Sequence, residues 1–126
     1  MKFKIGQEYT YERTFTKKDV EEFIVLSQYT GKHHEVPNED GEVMIQGLLT
    51  ATLPTTIGGQ YDILMYKMVY HLVKPVYTGD HVVCRITVKD LFEKNGTERI
   101  ILEFSTKNQK GEEVLSGELK GLPLDL

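Results

Sequence analysis

Two adjacent histidines, His33 and His34, and a Gln46-Gly47 pair are the candidates of this chain for proton transfer and oxyanion binding. A histidine titrates near pH 6.5, so at neutral pH it can accept or donate a proton. Gln46-Gly47 opens an uncharged segment, and the first N–H groups of a helix are unpaired and lie at its positive end. A proton-transfer group beside such N–H groups stabilises a developing oxyanion. The segment from Ser27 to Gly47 is therefore the predicted site.

Composition and charge exclude several functional classes. The chain of 126 residues fits one domain, 1–126, and 40% hydrophobic with 27% charged residues is ordinary for a globular protein. The net charge is −4 and the Lys and Arg residues are scattered, so the sequence does not predict the basic surface that binds nucleic acid or an anionic membrane. The N-terminus lacks the apolar stretch of a signal peptide, and no segment is long enough to span a bilayer. With Cys84 as its only cysteine, we expect a cytoplasmic protein.

The elements around the histidines begin with a strand and a helix. Residues 7–16 are rich in Tyr, Thr and Phe, which predicts a strand. Thr16 with Asp19 has the pattern of a capping box, and apolar residues follow at helical spacing, so we predict a helix over 17–28. Residues 30–42 form a turn-rich loop that carries both histidines.

A second helix follows the loop. Residues 46–58 contain no charged side chain, and their apolar residues are spread around the helical circumference. This pattern predicts a helix that is buried on most sides. Pro54 should kink or end the helix, and Gly58-Gly59 should stop it.

The rest of the chain alternates apolar and polar residues between turn signals, the pattern of antiparallel strands. The predicted strands are 66–74, 81–92, 97–108 and 112–120. The element order is thus strand, helix, loop, buried helix and four strands. It predicts an α+β hot-dog fold, in which an antiparallel sheet wraps around a long, mostly apolar central helix.

Three stretches, VEEFIVLSQYTGKHHEV, MIQGLLTATL and YHLVKPVYTGD, resemble the MaoC-like hydratases, which include the (R)-specific enoyl-CoA hydratases. The resemblance runs from about Gly6 to the last strand. The family pattern is Ser-Gly-Asp-x-Asn-Pro-x-His, then His-Gly at the start of the central helix, then Lys-Pro-Val and Gly-Asp. The resemblance implies a homodimer with each substrate tunnel at the subunit interface and an acyl-CoA or other acyl thioester as ligand. We expect no cofactor, and no metal either, because the spacing of the histidines and nearby carboxylates matches no common metal-ligand pattern.

The resemblance also implies roles for individual residues. His34, seven positions after Ser27, matches the catalytic histidine. Gly47 matches the glycine whose N–H would bind the thioester oxygen, and Gln46 stands where the family has the histidine of His-Gly. Thr55 falls where such hydratases often place a hydroxyl near the catalytic carboxylate.

The chain departs from the family pattern at the positions that carry the catalytic chemistry. Tyr29 stands at the position of the catalytic aspartate, and Gly31-Lys32 replaces Asn-Pro. In the family, Asp and His together hold one water and pass a proton during hydration of a trans-2-enoyl thioester. A tyrosine is neutral at pH 7, so it can donate a hydrogen bond but is a poor base. One hypothesis therefore makes His34 the sole base, with Tyr29 positioning the water or the carbonyl and His33 a bystander.

Three functions remain open at this point. The first is an acyl-thioester hydratase or dehydratase that uses His34 and Gly47. The second is a binding protein that kept the acyl-CoA tunnel and lost the chemistry with the aspartate. The third, a hot-dog thioesterase, ranks last, because that class places Asp or Glu on or near the central helix and residues 46–60 contain neither. A carboxylate from Glu39 or Asp40 that folds back toward His34 is a further open possibility.

Overall fold

A capping box starts the first helix at the predicted residue. The structure, a computed structural model, describes residues 2–126. Strand β1 is Glu8–Thr14 and helix α1 is Lys17–Ser27. The Asp19 N–H donates to Thr16 Oγ1 at 3.2 Å, and the Thr16 N–H donates to the Asp19 carboxylate at 2.9 Å. Two N–H groups that the first turn cannot satisfy are thereby paired, which confirms the predicted start.

The central helix α2 is Gly47–Gln60, and it continues through Pro54 and both glycines. The helix does not end at Pro54, and it ends at Gln60, one residue beyond the predicted stop at Gly58-Gly59. Burial against the sheet stabilises a helix more than one missing hydrogen bond weakens it.

The four remaining strands complete one antiparallel sheet in the order β1-β3-β4-β5-β2. Their bounds are Ile63–Leu72 for β2, His81–Lys94 for β3, Thr97–Lys107 for β4 and Glu113–Pro123 for β5. Strand β2 therefore begins and ends earlier than the predicted 66–74. Strands β1 and β2 form the two edges of the sheet.

The core lies between α2 and the inner face of the sheet, and it confirms the predicted sheet wrapped around a central helix. Its buried side chains include Leu49, Leu53, Ile57, Ile86, Ile100, Leu102, Leu115 and Leu119. None of the helices in residues 2–126 is long and apolar enough to cross a membrane.

Candidate active site

His34 is held in one orientation by a backbone carbonyl. The ring lies at the end of a 3-10 turn, Lys32–His34, and only 6% of the residue is exposed. Its Nδ1 is 2.7 Å from the carbonyl oxygen of Met44. A carbonyl oxygen only accepts hydrogen bonds, so Nδ1 carries the proton and Nε2 of the neutral ring is unprotonated. The fold thus presents Nε2 as a proton acceptor.

The Met44 carbonyl is fixed by pairing with the segment before β3. The Ile45 N–H donates to the Val76 carbonyl at 2.8 Å, and the Thr78 N–H donates to the Val43 carbonyl at 2.9 Å. Met44 lies between these two bonds, so its carbonyl has little freedom. The Lys-Pro-Val motif therefore helps to fix the Met44 carbonyl through backbone hydrogen bonds, because Val76 is one of the pairing residues.

The Gly-Asp motif stabilises the same segment. Gly79 adopts a φ of 91°, which favours glycine, and its N–H donates to the Phe15 carbonyl at 3.1 Å. One Asp80 carboxylate oxygen accepts from the Tyr77 N–H at 3.0 Å, and the other accepts from Gln109 Nε2 at 2.8 Å. Asp80 is thus a structural carboxylate that fixes the turn.

A tight turn keeps the loop carboxylates away from His34. Asn38 Oδ1 accepts from the N–H groups of Asp40 and Glu42, at 3.0 and 2.9 Å. Glu39 and Asp40 are exposed, and neither lines the cavity beside His34. The possibility that one of them folds back toward the histidine is therefore wrong.

A cavity of about 340 Å³ adjoins His34 at the start of α2. It is enclosed by three ring side chains of the loop, the first turns of α2 and the segment after β2. Among the described residues that line it, none is Asp or Glu. The lining residues are Tyr29, His33, His34, Met44, Ile45, Gly47, Thr50, Leu72, Val73, Lys74, Pro75, Val76 and Val114.

Tyr29, His33 and His34 form a cluster of rings at the mouth of this cavity. The centroids of the two histidine rings are 3.8 Å apart, and the Tyr29 ring is 5.4 Å from His34. The Tyr29 hydroxyl oxygen is 3.5 Å from His33 Nε2, and half of Tyr29 is exposed. The structure therefore places His33 at the cavity, which the sequence did not predict because the 3-10 turn is what brings both rings to one side.

Gly47 lines the cavity and is the first residue of α2, so its N–H has no partner within the helix. A Cβ at this position would lie 2.9 Å from both Leu72 methyl groups. The missing side chain thus also leaves room for Leu72 to pack over the start of the helix. A free N–H and a close hydrophobic contact coexist at this residue.

Gln46 and Thr55 lie apart from the cavity. Gln46 is 3% exposed, its Nε2 is 3.4 Å from the Val20 carbonyl oxygen, and its Oε1 has no partner within residues 2–126. It joins the start of α2 to α1. Thr55 donates its hydroxyl to the Thr52 carbonyl at 2.8 Å and lines a separate groove with Leu48. Of the predicted site residues, His34, Tyr29 and Gly47 come together.

The five-stranded antiparallel sheet around one central helix defines a hot-dog fold. The structure is similar to R-hydratase PhaJ1 from Pseudomonas aeruginosa, with a TM-score of 0.85 and 19% identity over 98% of this chain and 84% of that one. It is similar to the (R)-hydratase from A. caviae involved in PHA biosynthesis, with a TM-score of 0.85 and 21% identity over 97% and 98%.

A third similar structure is the MaoC-like dehydratase from Rhodospirillum rubrum, with a TM-score of 0.72 and 13% identity over 99% of this chain and 97% of that one. No protein-family model and no curated protein sequence matches this chain. At these identities the likenesses show the fold, and the predicted hot-dog fold is confirmed.

Proposed function

We propose that this protein is a hydratase or dehydratase that acts on trans-2-enoyl thioesters such as enoyl-CoA. The observation that carries the proposal is the orientation of His34. Its Nδ1–H bond to Met44 leaves Nε2 unprotonated beside a cavity that also contains the start of α2. No group of residues 2–126 forms a hydrogen bond with Nε2, so this nitrogen is available to a water or a ligand.

Hydration of an enoyl thioester uses these groups in a defined order. The Nε2 atom of His34 takes a proton from water while the water oxygen bonds to C3 of the substrate. Negative charge then develops on the thioester oxygen, where the Gly47 N–H at the positive end of α2 would stabilise it. The neutral hydroxyl of Tyr29 positions the water or the carbonyl, in place of an aspartate. A proton delivered to C2 discharges the thioester oxygen and completes the hydration.

We also propose a homodimer that forms along β2. This edge strand exposes apolar side chains on the single chain, with Tyr66 49% and Met68 52% exposed. An uncovered apolar edge strand is a template for pairing with another chain, and a second copy would cover both side chains. Leu72, which lines the cavity, lies on the same strand, so the partner would stand next to the site.

The alternative is a non-catalytic protein that binds an acyl thioester. It is favoured by one observation, that the described residues lining the cavity include no carboxylate. Loss of a positioned acid–base group lowers a rate by about 10² to 10⁴, so residual catalysis is still measurable.

Hydration of crotonyl-CoA, followed by the loss of enoyl absorbance, distinguishes the two functions. The hydratase proposal predicts turnover by the parent protein, loss of turnover in His34→Ala, and unchanged turnover in the control His81→Gln. Thermal stabilisation by acyl-CoA without turnover would replace the enzyme with the binding protein. If neither is observed, the thioester proposal is wrong.

A further inference from the structure

The cavity contains few groups that can supply a proton. Among the described residues that line it, the titratable ones are Tyr29, His33, His34 and Lys74. His34 is assigned as the proton acceptor above, and Lys74 forms an ion pair with Glu112. Besides His34 itself, which can return the proton that it takes from water, the groups left for the second proton transfer are Tyr29 and His33.

Gly31 provides the space in which these two rings meet. A Cβ at Gly31 would lie 2.7 Å from His33 Cε1 and 3.0 Å from Tyr29 Cε1. The backbone of Gly31 has φ −62° and ψ 132°, which any residue can adopt. Glycine at this position therefore leaves room for the approach of the rings, and a larger residue would displace one of them.

The same geometry directs His33 toward the hydroxyl of Tyr29. The Nδ1 and Cε1 atoms of His33 lie over Gly31, and Nε2 is 3.5 Å from the Tyr29 oxygen. Hydrogen bonds of this length in an empty site commonly tighten once substrate is bound. The Tyr29 backbone is itself fixed, because its N–H donates to Ser27 Oγ at 3.2 Å.

We propose that His33 is a positioning residue that makes Tyr29 the proton donor of this site, an inference that rests on the proposed hydratase function. Protonated His33 donates its Nε2–H to the Tyr29 oxygen, and Tyr29 gives its own proton to C2 of the enoyl thioester. A neutral tyrosine releases a proton reluctantly at pH 7, and a cation at hydrogen-bond distance favours its ionised form.

The protons and electrons balance across the cycle. The π electrons of C2=C3 form the new C2–H bond, and the lone pair of the water oxygen forms the C3–O bond. His34 gains the proton that water loses, and His33 replaces the proton that Tyr29 delivers. The cycle ends with protonated His34 and neutral His33, and proton exchange between these rings or with solvent restores the start.

Crotonyl-CoA hydration by four variants tests the role of His33: His33→Gln, Tyr29→Phe, the double variant, and the control His81→Gln at the start of β3. We expect His33→Gln and Tyr29→Phe each to lose about 10²-fold or more in kcat/KM. Residues that act as one unit are not additive, so the double variant should be within about threefold of Tyr29→Phe. The His81→Gln variant should equal the parent.

The pH profile separates a positioning role from a merely structural one. The kcat/KM of the parent should fall on both sides of a pH maximum, as expected of a site that needs one base and one acid. In His33→Gln the alkaline side of this profile should change, because glutamine cannot supply a proton. Gly31→Ala keeps every titratable group but displaces the rings, so it should lose activity with an unchanged circular dichroism spectrum.

The outcomes distinguish this inference from the proposed function. A parent that hydrates crotonyl-CoA together with a His33→Gln variant of equal rate and equal pH profile overturns the role of His33 alone. A loss of kcat/KM in the double variant equal to the product of the two single losses also overturns the role of His33, because it shows that His33 and Tyr29 act independently. A parent without turnover overturns both the inference and the function on which it rests.

Discussion

At the scale of single residues, the backbone determines what the side chains can do. His34 is a defined proton acceptor because the Met44 carbonyl bonds its Nδ1–H. Gly47 and Gly31 leave room for neighbouring side chains, because a Cβ at either position would lie within 3 Å of one of them. Sequence motifs identified His34 and Gly47, but a backbone acceptor such as Met44 has no side-chain signature and could not be predicted.

The thiol of Cys84 should be unreactive in the folded protein. Cys84 is fully buried on β3, and this burial raises the pKa of its thiol to about 11. The thiolate is the reactive form, so at pH 8 the native protein should resist labelling. The measurement is mass spectrometry after iodoacetamide treatment with and without guanidinium. Labelling of the native protein as fast as of the unfolded one would contradict the described burial.

At the scale of elements, local caps and turns place the site. Helix α1 ends at Ser27, and the residue that caps it, Gln28, has a φ of 60° and donates its N–H to the Ile24 carbonyl. This left-handed conformation disfavours any residue with a Cβ, and it directs the chain from α1 into the segment with Tyr29. The helix end is thus strained at the entrance to the site.

Gln28→Gly should stabilise the protein. Glycine adopts the left-handed conformation without the steric penalty of a Cβ, which its greater freedom in the unfolded chain offsets in part, so we expect a gain of about 0.5–1 kcal/mol. Urea unfolding of the variant and the parent measures this difference. Gln60→Gly, at the last residue of α2 and without the positive φ, should destabilise instead. Equal losses in both variants would contradict the strain at Gln28.

The capping box of α1 should be sensitive to acid. The Thr16 N–H, which donates to the Asp19 carboxylate, is the main cause that lowers the pKa of Asp19 below 3.8. A carboxyl whose pKa is lower in the folded state stabilises the protein above pH 3.8, and this contribution is lost as the pH falls through the folded value. Asp19→Ala should therefore cost about 1 kcal/mol at pH 7.

The measurement for the capping box is the free energy of unfolding of Asp19→Ala and the parent across pH 2 to 7, with Glu21→Ala on the same helix as control. The difference between Asp19→Ala and the parent should shrink below pH 3.8, whereas Glu21→Ala should follow the parent throughout. A loss in Asp19→Ala that persists unchanged at the lowest pH would show that the carboxylate is not its source.

Some of these elements could be predicted from the sequence and others could not. The Thr16–Asp19 box and the strand alternation predicted α1 and the sheet, because both depend on neighbouring residues. Pro54 was misleading, since packing of α2 on the sheet outweighs its local preference. The position of His33 depends on a three-residue turn, which no periodic pattern reveals.

At the scale of the whole molecule, the two edges of the sheet differ. Strand β1 has polar exposed residues such as Glu8 and Thr10, whereas β2 exposes Leu64, Tyr66 and Met68. The apolar edge also carries Leu72, which packs over Gly47 at the cavity. In the proposed homodimer, assembly and activity are therefore linked through β2.

Met68→Lys should convert the proposed dimer to a monomer and lower hydratase activity with it. A charge at the centre of an edge strand opposes pairing with a second copy. Sedimentation velocity measures the mass, and Thr10→Lys places the same charge on the other edge as control. A Met68→Lys protein with the same mass as a dimeric parent would contradict pairing along β2.

Chemical rescue tests whether His34 Nε2 is the base of an enoyl-thioester hydratase. The measurement is the rate of crotonyl-CoA hydration by His34→Ala as imidazole is added at neutral pH. We expect a rate far below that of the parent, which then rises with the concentration of neutral imidazole, because the added base replaces the missing ring. A His34→Ala variant that hydrates crotonyl-CoA as fast as the parent without imidazole would contradict the role of His34 as the base.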